Sequence, residues 1–209
     1  MHALIVLAHP KPGSFSHRVA RHVAQGIGQA GHSFDIADLA AEGFDPRFTE
    51  HDHAAHLQRI PPSPDVVREQ RRIDRADALV LVYPVYWWSF PALMKGWIDR
   101  VFSNGWAYDE RADTGLVKRL GRLPVHLVAI GGASEETYAR HGYFQAMKTQ
   151  IDHGIFDYCG ARVVASTFLL AAEDVQEAEQ LHAAHTMGAA VFAGTASVPP
   201  PSAEVQACA

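Results

Sequence analysis

Three consecutive aromatic residues at 86–88 stand directly after an apolar segment and a proline. The segment Ala78–Val82 has the aliphatic composition of a buried strand, and Pro84 closes it. In open α/β sheets, ligands bind beyond the carboxyl ends of the strands. Alternatively, the three rings only cover the hydrophobic core, because Trp is often only partly buried. Since Pro91 turns the chain just after the rings, the pattern favours a binding site for a large flat ligand.

A second candidate site is the loop His9–His17, which joins the first apolar strand to a helix. The first turn of a helix offers N–H groups and the positive end of the helix dipole, which together suit a phosphate. Gly13 permits a close approach of the backbone. Ser14, Ser16 and His9 carry hydrogen-bond donors for phosphate oxygens. A plain turn with a serine helix cap is the alternative interpretation.

A third candidate is the glycine pair Gly131 and Gly132, which follows the predicted strand Val125–Ile130. Adjacent glycines expose backbone N–H groups, which can stabilise a developing negative charge on a bound ring. Tyr138 lies a few residues further on and adds a hydroxyl donor. A flexible turn is the alternative.

Two further patterns resemble known sites but lack their context. Gly-Ile-Gly-Gln-Ala-Gly at 26–31 matches the dinucleotide fingerprint in form, yet it ends a predicted helix instead of opening one. We interpret it as a helix C-cap and turn. His-Asp-His-Ala-Ala-His at 51–56 has no companion cluster of zinc ligands. We interpret it as a surface or interface loop, and the sequence predicts no metal site.

Strands and helices alternate along the chain. The elements predicted from periodicity and from capping residues are strands at 3–8, 32–37, 77–82, 125–130 and 162–170 and helices at 17–30, 66–75, 91–102, 142–157 and 173–192.

Alternating elements predict right-handed βαβ crossovers and a parallel sheet with helices on both faces. Five strands suggest a flavodoxin-like three-layer α/β sandwich with the strand order 2-1-3-4-5. In that order the loops 9–17, 83–91 and 131–142 converge at one edge of the sheet. The three candidate sites would then form a single site.

Length and composition agree with one globular domain. The chain has 209 residues, 48% hydrophobic and 20% charged, and a net charge of −5, which argues against nucleic acid as the main partner. No apolar run is long enough for a membrane span, and the N-terminus reads as a strand. Two distant cysteines, Cys159 and Cys208, fit a reducing cytoplasm. Residues 1–196 are predicted to form the domain, residues 38–65 a long irregular interface or functional loop, and residues 197–209 a disordered tail.

Taken together, these segments resemble the NAD(P)H:quinone oxidoreductase family, the DT-diaphorase-like flavoproteins, in its short bacterial form. The resemblance spans nearly the whole domain in the same order. The matching runs are Leu4–His9 with Ser14–Ser16, Ala76–Val80, Tyr83–Pro84 with Trp87, Pro91–Phe102 ending in Ala107–Tyr108, Gly131–Gly132, Tyr138 and Cys159–Gly160.

The resemblance implies a role for each matched residue. The flavin phosphates would be held by His9, Ser14, Phe15 and Ser16. The isoalloxazine ring would be lined by Pro84, Val85, Tyr86, Trp87 and Trp88, with Trp88 facing the substrate pocket. Gly131 and Gly132 would contact the pyrimidine end of the ring, and Tyr138 would be its proton or charge partner. Long members of the family carry a His where this chain has Phe144.

The resemblance also implies an activity and partners. It implies FAD, with FMN as the alternative, and NAD(P)H as the electron donor. Hydride would pass by ping-pong chemistry to a quinone or a similar small acceptor, in a cytoplasmic homodimer. Two other functions stay open at this point: an ancillary regulatory subunit of a potassium-efflux transporter, and a one-electron flavodoxin.

Overall fold

The computed structural model describes residues 1–111, 115–171 and 176–193, with only the backbone of residue 111. The predicted tail at 197–209 lies outside the described residues. The elements are β1 (His2–Leu7), α1 (Phe15–Gln29), β2 (Ser33–Asp38), α2 (Glu50–His56), α3 (Pro64–Asp74), β3 (Ala78–Pro84), α4 (Ala92–Val101), β4 (Tyr108–Arg111), β5 (Gly115–Lys118), β6 (Pro124–Gly131), α5 (Glu135–His141), α6 (Tyr143–Met147), a π-helical segment (Lys148–Asp157), β7 (Arg162–Leu170) and α7 (Glu177–Ala190).

The described residues form a five-stranded parallel sheet in the order β2-β1-β3-β6-β7. This order confirms the predicted 2-1-3-4-5 arrangement, because β6 and β7 are the fourth and fifth strands of the sheet. The central strand β3 is buried along its whole length. Its alternate side chains enter two separate cores, with Leu79 and Leu81 on one face of the sheet and Val80 and Val82 on the other. Burial on both faces explains why parallel strands read as continuous apolar runs.

Helices α1 and α7 pack closely together on one face of the sheet. A Cβ at Gly26 would lie 2.1 Å from the carbonyl oxygen of His185, and one at Gly188 would lie 2.1 Å from that of Val23. The C-cap interpretation of the glycine-rich motif is therefore right for Gly31, which follows the helix with φ +82°, and wrong for Gly26, which permits this contact.

Two segments outside the predicted strands and helices contain regular structure. The segment 38–65 includes α2, whose first turn is closed by a capping box between Thr49 and Asp52. The segment 104–122 includes the antiparallel hairpin of β4 and β5. A seven-residue helix and two four-residue strands are too short to show a hydrophobic period. The prediction that these segments are irregular is therefore wrong.

Candidate active site

The three candidate loops leave neighbouring strands at the same edge of the sheet. The amide of Ala8 donates to the carbonyl of Val82 at 3.3 Å, and the amide of Val85 donates to that of Ile130 at 2.8 Å. Parallel pairing thus continues just past the ends of the strands. The predicted convergence of the loops after β1, β3 and β6 is confirmed.

The loop after β1 is open at its glycine and ordered by local hydrogen bonds. Gly13 has φ +69°, and no atom lies within 4 Å of the position of a Cβ. His9 Nδ1 accepts the amide of Lys11 at 3.1 Å, so the proton of a neutral His9 ring lies on Nε2. Ser16 is buried within the first turn of α1. The loop thus leaves the helix N-terminus approachable by an anion.

Ser14 stands at the N-cap of α1, but its side chain makes no capping hydrogen bond. Its Oγ lies 2.8 Å from His17 Nδ1, and His17 Nε2 lies 3.0 Å from Asp38 Oδ2 at the end of β2. Sequence reasoning named Ser14 and missed the other two. The spacing of Ser14 and His17 on one helical turn was visible in the sequence, whereas the approach of Asp38 depends on the pairing of β2 with β1.

The aromatic loop after β3 is a tight two-residue turn. The amide of Tyr86 donates to the carbonyl of Ser89 at 3.2 Å, and the amide of Ser89 donates back at 3.1 Å. The central residues Trp87 and Trp88 have φ +50° and +57°. Non-glycine residues in this left-handed region cost on the order of 1–3 kcal/mol each and cluster at functional sites. The side chain of Trp87 is 93% exposed at the tip of the turn.

Trp88 packs against residues of α5 and α6. Its ring stacks on Tyr143 with a centroid separation of 3.6 Å and an interplanar angle of 12°, and it meets the edge of Tyr138 at 5.4 Å. Gly142, with φ +69°, turns the chain between α5 and α6 and so brings Tyr143 to this position. Sequence reasoning missed Tyr143, because no local pattern separates it from an ordinary core aromatic.

Tyr138 is 1% exposed and lies beneath Trp88. Burial raises the pKa of its phenol, which therefore stays protonated as a hydrogen-bond donor. A Cβ at Gly131 would lie 2.6 Å from Tyr138 Oη, so the glycine leaves space for the hydroxyl. No atom lies within 4 Å of the Cβ position at Gly132, whose backbone is open to a ligand. The structure thus brings both glycines and Tyr138 together as the sequence predicted.

A cavity of about 310 Å³ lies next to this cluster, between the π-helical segment and the strands β6 and β7. Phe144, which packs on Tyr138 at 5.0 Å, forms part of its wall. Burial raises the pKa of the Asp152 carboxyl and of the Tyr83 phenol, both of which line the cavity. The π-helical segment lines this cavity with Lys148, Ile151 and Asp152.

The histidine-rich segment 51–56 forms most of α2. Asp52 Oδ1 accepts Arg100 Nε at 3.1 Å in a buried ion pair. Across residues 1–111, 115–171 and 176–193, no group of three or more His, Cys, Asp or Glu side chains is arranged to hold a metal ion. None of the helices in the described part of the chain is both long and apolar enough to cross a membrane.

Comparison with known proteins agrees with this geometry. Residues 1–190 match the family described as having a flavodoxin-like fold. The chain is 32% identical over 199 residues to the ribosyldihydronicotinamide dehydrogenase (quinone) of Pongo abelii. This alignment covers 85% of the chain and 84% of that protein. It is 31% identical over 163 residues to an uncharacterized NAD(P)H oxidoreductase of Haemophilus influenzae, covering 77% of this chain and 79% of that one.

A solved structure gives the same result. The NAD(P)H:quinone oxidoreductase from Methanothermobacter marburgensis superposes with a TM-score of 0.80 at 28% identity, over 90% of this chain and 98% of that one. The chain therefore belongs to the flavodoxin-like fold family and, within it, to the NAD(P)H:quinone oxidoreductases.

Proposed function

We propose that the protein is a flavin-dependent oxidoreductase that transfers hydride from NAD(P)H to a quinone or a similar small acceptor. The observation that carries this proposal is the meeting of three loops at one sheet edge: an anion-accepting helix N-terminus, a strained aromatic turn and a glycine pair beside a buried tyrosine. Family membership gives the reaction class.

The residues present fit a flavin phosphate group. His9, Ser14, Phe15 and Ser16 surround the first turn of α1, where the backbone N–H groups lie. Gly13 leaves the loop open to an incoming anion. We propose FAD as the cofactor, with FMN as the alternative.

The residues at the other two loops fit a flat ring. Pro84, Val85 and the turn at 86–88 would form one wall, and Gly131 and Gly132 would offer their backbone to the ring's polar end. A bound flavin supplies the hydride chemistry, and the protein supplies position and charge stabilisation.

Tyr138 would act as a hydrogen-bond donor toward negative charge that develops near the glycine pair. Its burial keeps the proton on the hydroxyl, and Gly131 leaves the space that the hydroxyl occupies. Trp88 would contact the nicotinamide and, after the oxidised nicotinamide has left, the acceptor in the same pocket, which is compatible with ping-pong kinetics. Trp88 already presents an ordered ring because Tyr143 supports it.

We further propose a cytoplasmic homodimer whose subunits consist of one domain over residues 1–196. Support for the dimer comes from large apolar side chains exposed on the surface, among them Trp87 at 93% and Phe48 at 47%. The buried Cys159 thiol, whose pKa is raised by burial to about 11, is unreactive and fits a reducing compartment. No observation on the described residues favours the alternative of a transporter subunit, and we do not propose it.

The test is a spectrum of the purified protein, followed by anaerobic reduction. We expect the two visible absorbance bands of an oxidised flavin, and a released cofactor whose mass identifies it. NADPH or NADH should bleach these bands, and menadione should restore them. Bleaching through a long-lived one-electron species would favour a flavodoxin instead. A protein that is colourless and binds neither FAD nor FMN would exclude the proposed function.

A further inference from the structure

A chain of two hydrogen bonds connects the helix N-terminus to the end of β2. Ser14 Oγ lies 2.8 Å from His17 Nδ1, and His17 Nε2 lies 3.0 Å from Asp38 Oδ2. The other oxygen of Asp38, Oδ1, accepts the amide of Ala41 at 3.2 Å. Ser14 is the N-cap of the 15-residue helix α1, yet its hydroxyl is directed to His17 instead of to the helix amides.

The protons in this chain follow from the chemistry of the groups. An ionised carboxylate only accepts hydrogen bonds, so Nε2 of His17 must carry a proton to bond with Asp38. When His17 is neutral, Nδ1 is then an acceptor, and the Ser14 hydroxyl donates its single hydrogen to it. In that state Ser14 presents only lone pairs to the space beside the helix N-terminus.

Phosphate oxygens are also acceptors, so the neutral arrangement opposes a phosphate at Ser14. Protonation of His17 reverses the bond, since Nδ1–H then donates to Ser14 Oγ and the serine hydrogen becomes available to the anion. We propose that His17 is a positioning residue that takes up one proton from solvent when the phosphate group of the flavin binds, and that this uptake converts Ser14 into a donor. The proposal rests on the proposed function.

The surroundings of His17 favour this coupling. The side chain of His17 is 15% exposed and that of Asp38 is 22% exposed. Solvent therefore screens the attraction between them only partly. Asp38 stabilises the imidazolium, and an arriving phosphate would stabilise it further. His17 and Asp38 line a small hollow together with Arg21, whose positive charge disfavours the imidazolium. The ring centroids of His9 and His17 are 6.2 Å apart. The remaining lining consists of uncharged residues: Leu7, Gly13, Ala20 and Ile36.

Ser, His and Asp in a row also form the catalytic triad of hydrolases. In that triad, Nε2 of the histidine faces the serine and Nδ1 faces the aspartate. The ring of His17 has the opposite orientation. Ser14 is also a helix N-cap, not the residue of a nucleophile elbow. We therefore assign Ser14 and His17 to anion binding and not to nucleophilic catalysis.

Titration calorimetry of the flavin-free protein tests the proposal. FAD is added at pH 7.5 in HEPES and in Tris, whose ionisation enthalpies differ, so that the difference in heat counts the protons taken up. We expect uptake approaching one proton for FAD and for FMN, and none for riboflavin, which lacks the phosphate.

Linkage gives a second readout. The Kd for FAD is expected to rise by up to about tenfold per pH unit between pH 7 and 8. His17→Gln keeps an N–H donor toward Ser14 without titrating, so it should abolish the proton uptake and flatten this slope. Asp38→Asn should reduce the uptake at pH 7.5. His22→Gln, on the same helix, is the matched control and should behave like the wild type.

The outcomes separate the two proposals. FAD that binds the wild-type protein without proton uptake, or with the same uptake in His17→Gln, overturns the role of His17 and leaves the proposed function intact. Absence of any flavin binding overturns the proposed function and this inference with it. Because the calorimetric count is made first on the wild-type protein, the result does not depend on the folding of a variant.

Discussion

Trp88 and Tyr143 stack face to face, with ring centroids 3.6 Å apart and planes 12° apart. Five elements of the fold lie between them in the chain, since Trp88 lies in the turn after β3 and Tyr143 begins α6. The stack supports a tryptophan whose backbone lies in the left-handed region.

Removing the stack should loosen the aromatic wall. A stacked pair contributes about 1 kcal/mol beyond its buried area, which corresponds to roughly fivefold in affinity. Tyr143→Ala is therefore expected to raise KM for the quinone about fivefold while kcat changes less than twofold, because the proposed role of Tyr143 is to support Trp88. Steady-state kinetics measure both values. Tyr143→Phe keeps the ring and is the control; an equal rise in KM there would contradict the role of stacking.

The hydroxyl of Tyr138 should matter for the rate. Tyr138→Phe is expected to lower kcat by about 10²-fold, the lower end for loss of a donor that stabilises developing charge. Because burial raises the pKa of the Tyr138 phenol above its ordinary value of 10.0, kcat of the wild type should not fall through ionisation of this group below pH 10. Tyr158→Phe, on the exposed end of the π-helical region, is the control. A kcat for Tyr138→Phe within twofold of the wild type would remove Tyr138 from the chemistry.

Gly131 should tolerate no side chain while Tyr138 is present. A Cβ at Gly131 would lie 2.6 Å from Tyr138 Oη and 2.7 Å from Leu170 Cδ2, and such overpacking costs about 1–3 kcal/mol. Gly131→Ala should lower the free energy of unfolding by that amount, whereas Gly132→Ala, which meets no atom within 4 Å, should not. Urea denaturation measures both variants.

The same contact predicts a partial rescue. Adding Tyr138→Phe to Gly131→Ala removes the nearer of the two clashing atoms, so the double variant should regain part of the lost stability. Additive effects in this double-mutant cycle would show that the two residues do not interact.

His126 should make the fold sensitive to acid. Both ring nitrogens are buried, and burial lowers the pKa of His126 from 6.5 to about 4, against the opposing effect of a backbone hydrogen bond at Val191. Between these values the unfolded chain therefore binds more protons than the folded chain. The contribution of neutral His126 to the free energy of unfolding is fully present above about pH 6.5 and is lost as the pH falls toward 4. The loss reaches about 2 kcal/mol at pH 5.

Substitution tests this dependence. His126→Leu should flatten the decrease in Tm between pH 6.5 and pH 5, whereas His182→Gln, at an exposed position of α7, should leave it unchanged. Equal pH dependence in the wild type and in His126→Leu would assign the acid sensitivity to other groups.

Arg100 should hold the segment before α3 to the domain. Its guanidinium donates to Asp52 at 3.1 Å and to Asp65 at 2.7 Å, and it is buried. Arg100→Met leaves a buried carboxylate unpaired, which costs about 3–5 kcal/mol. Lys95→Met, which breaks the exposed pair with Asp99, should cost less than about 1 kcal/mol. Similar losses in both variants, measured by urea denaturation, would contradict the buried role of Arg100.

Local patterns predicted the sheet and the site's location. Continuous apolar runs marked β1, β3 and β6, because strands covered on both faces need apolar side chains at every position. The strand order then brought the three loops together, since parallel strands all end at the same edge. The resemblance in the aromatic loop and the glycine pair indicated the family, which the comparisons confirmed.

Contacts between distant residues escaped sequence reasoning. The ion pair of Asp52 with Arg100 is one such contact. The capping box of Thr49 and Asp52 that begins α2 is local, but it has no hydrophobic period and was missed for that reason. The hairpin of β4 and β5 is also short, with four residues in each strand.

The sequence by itself determined which segments form the five-stranded sheet, where the loops of the site begin and which chemical groups they carry, because these follow from neighbouring residues. Only the tertiary structure decided how those groups meet: Trp88 on Tyr143, Tyr138 against Gly131, and Ser14 through His17 to Asp38. Such contacts depend on the packing of helices and on strand register. Packing joins residues far apart in the chain, so no local pattern records it.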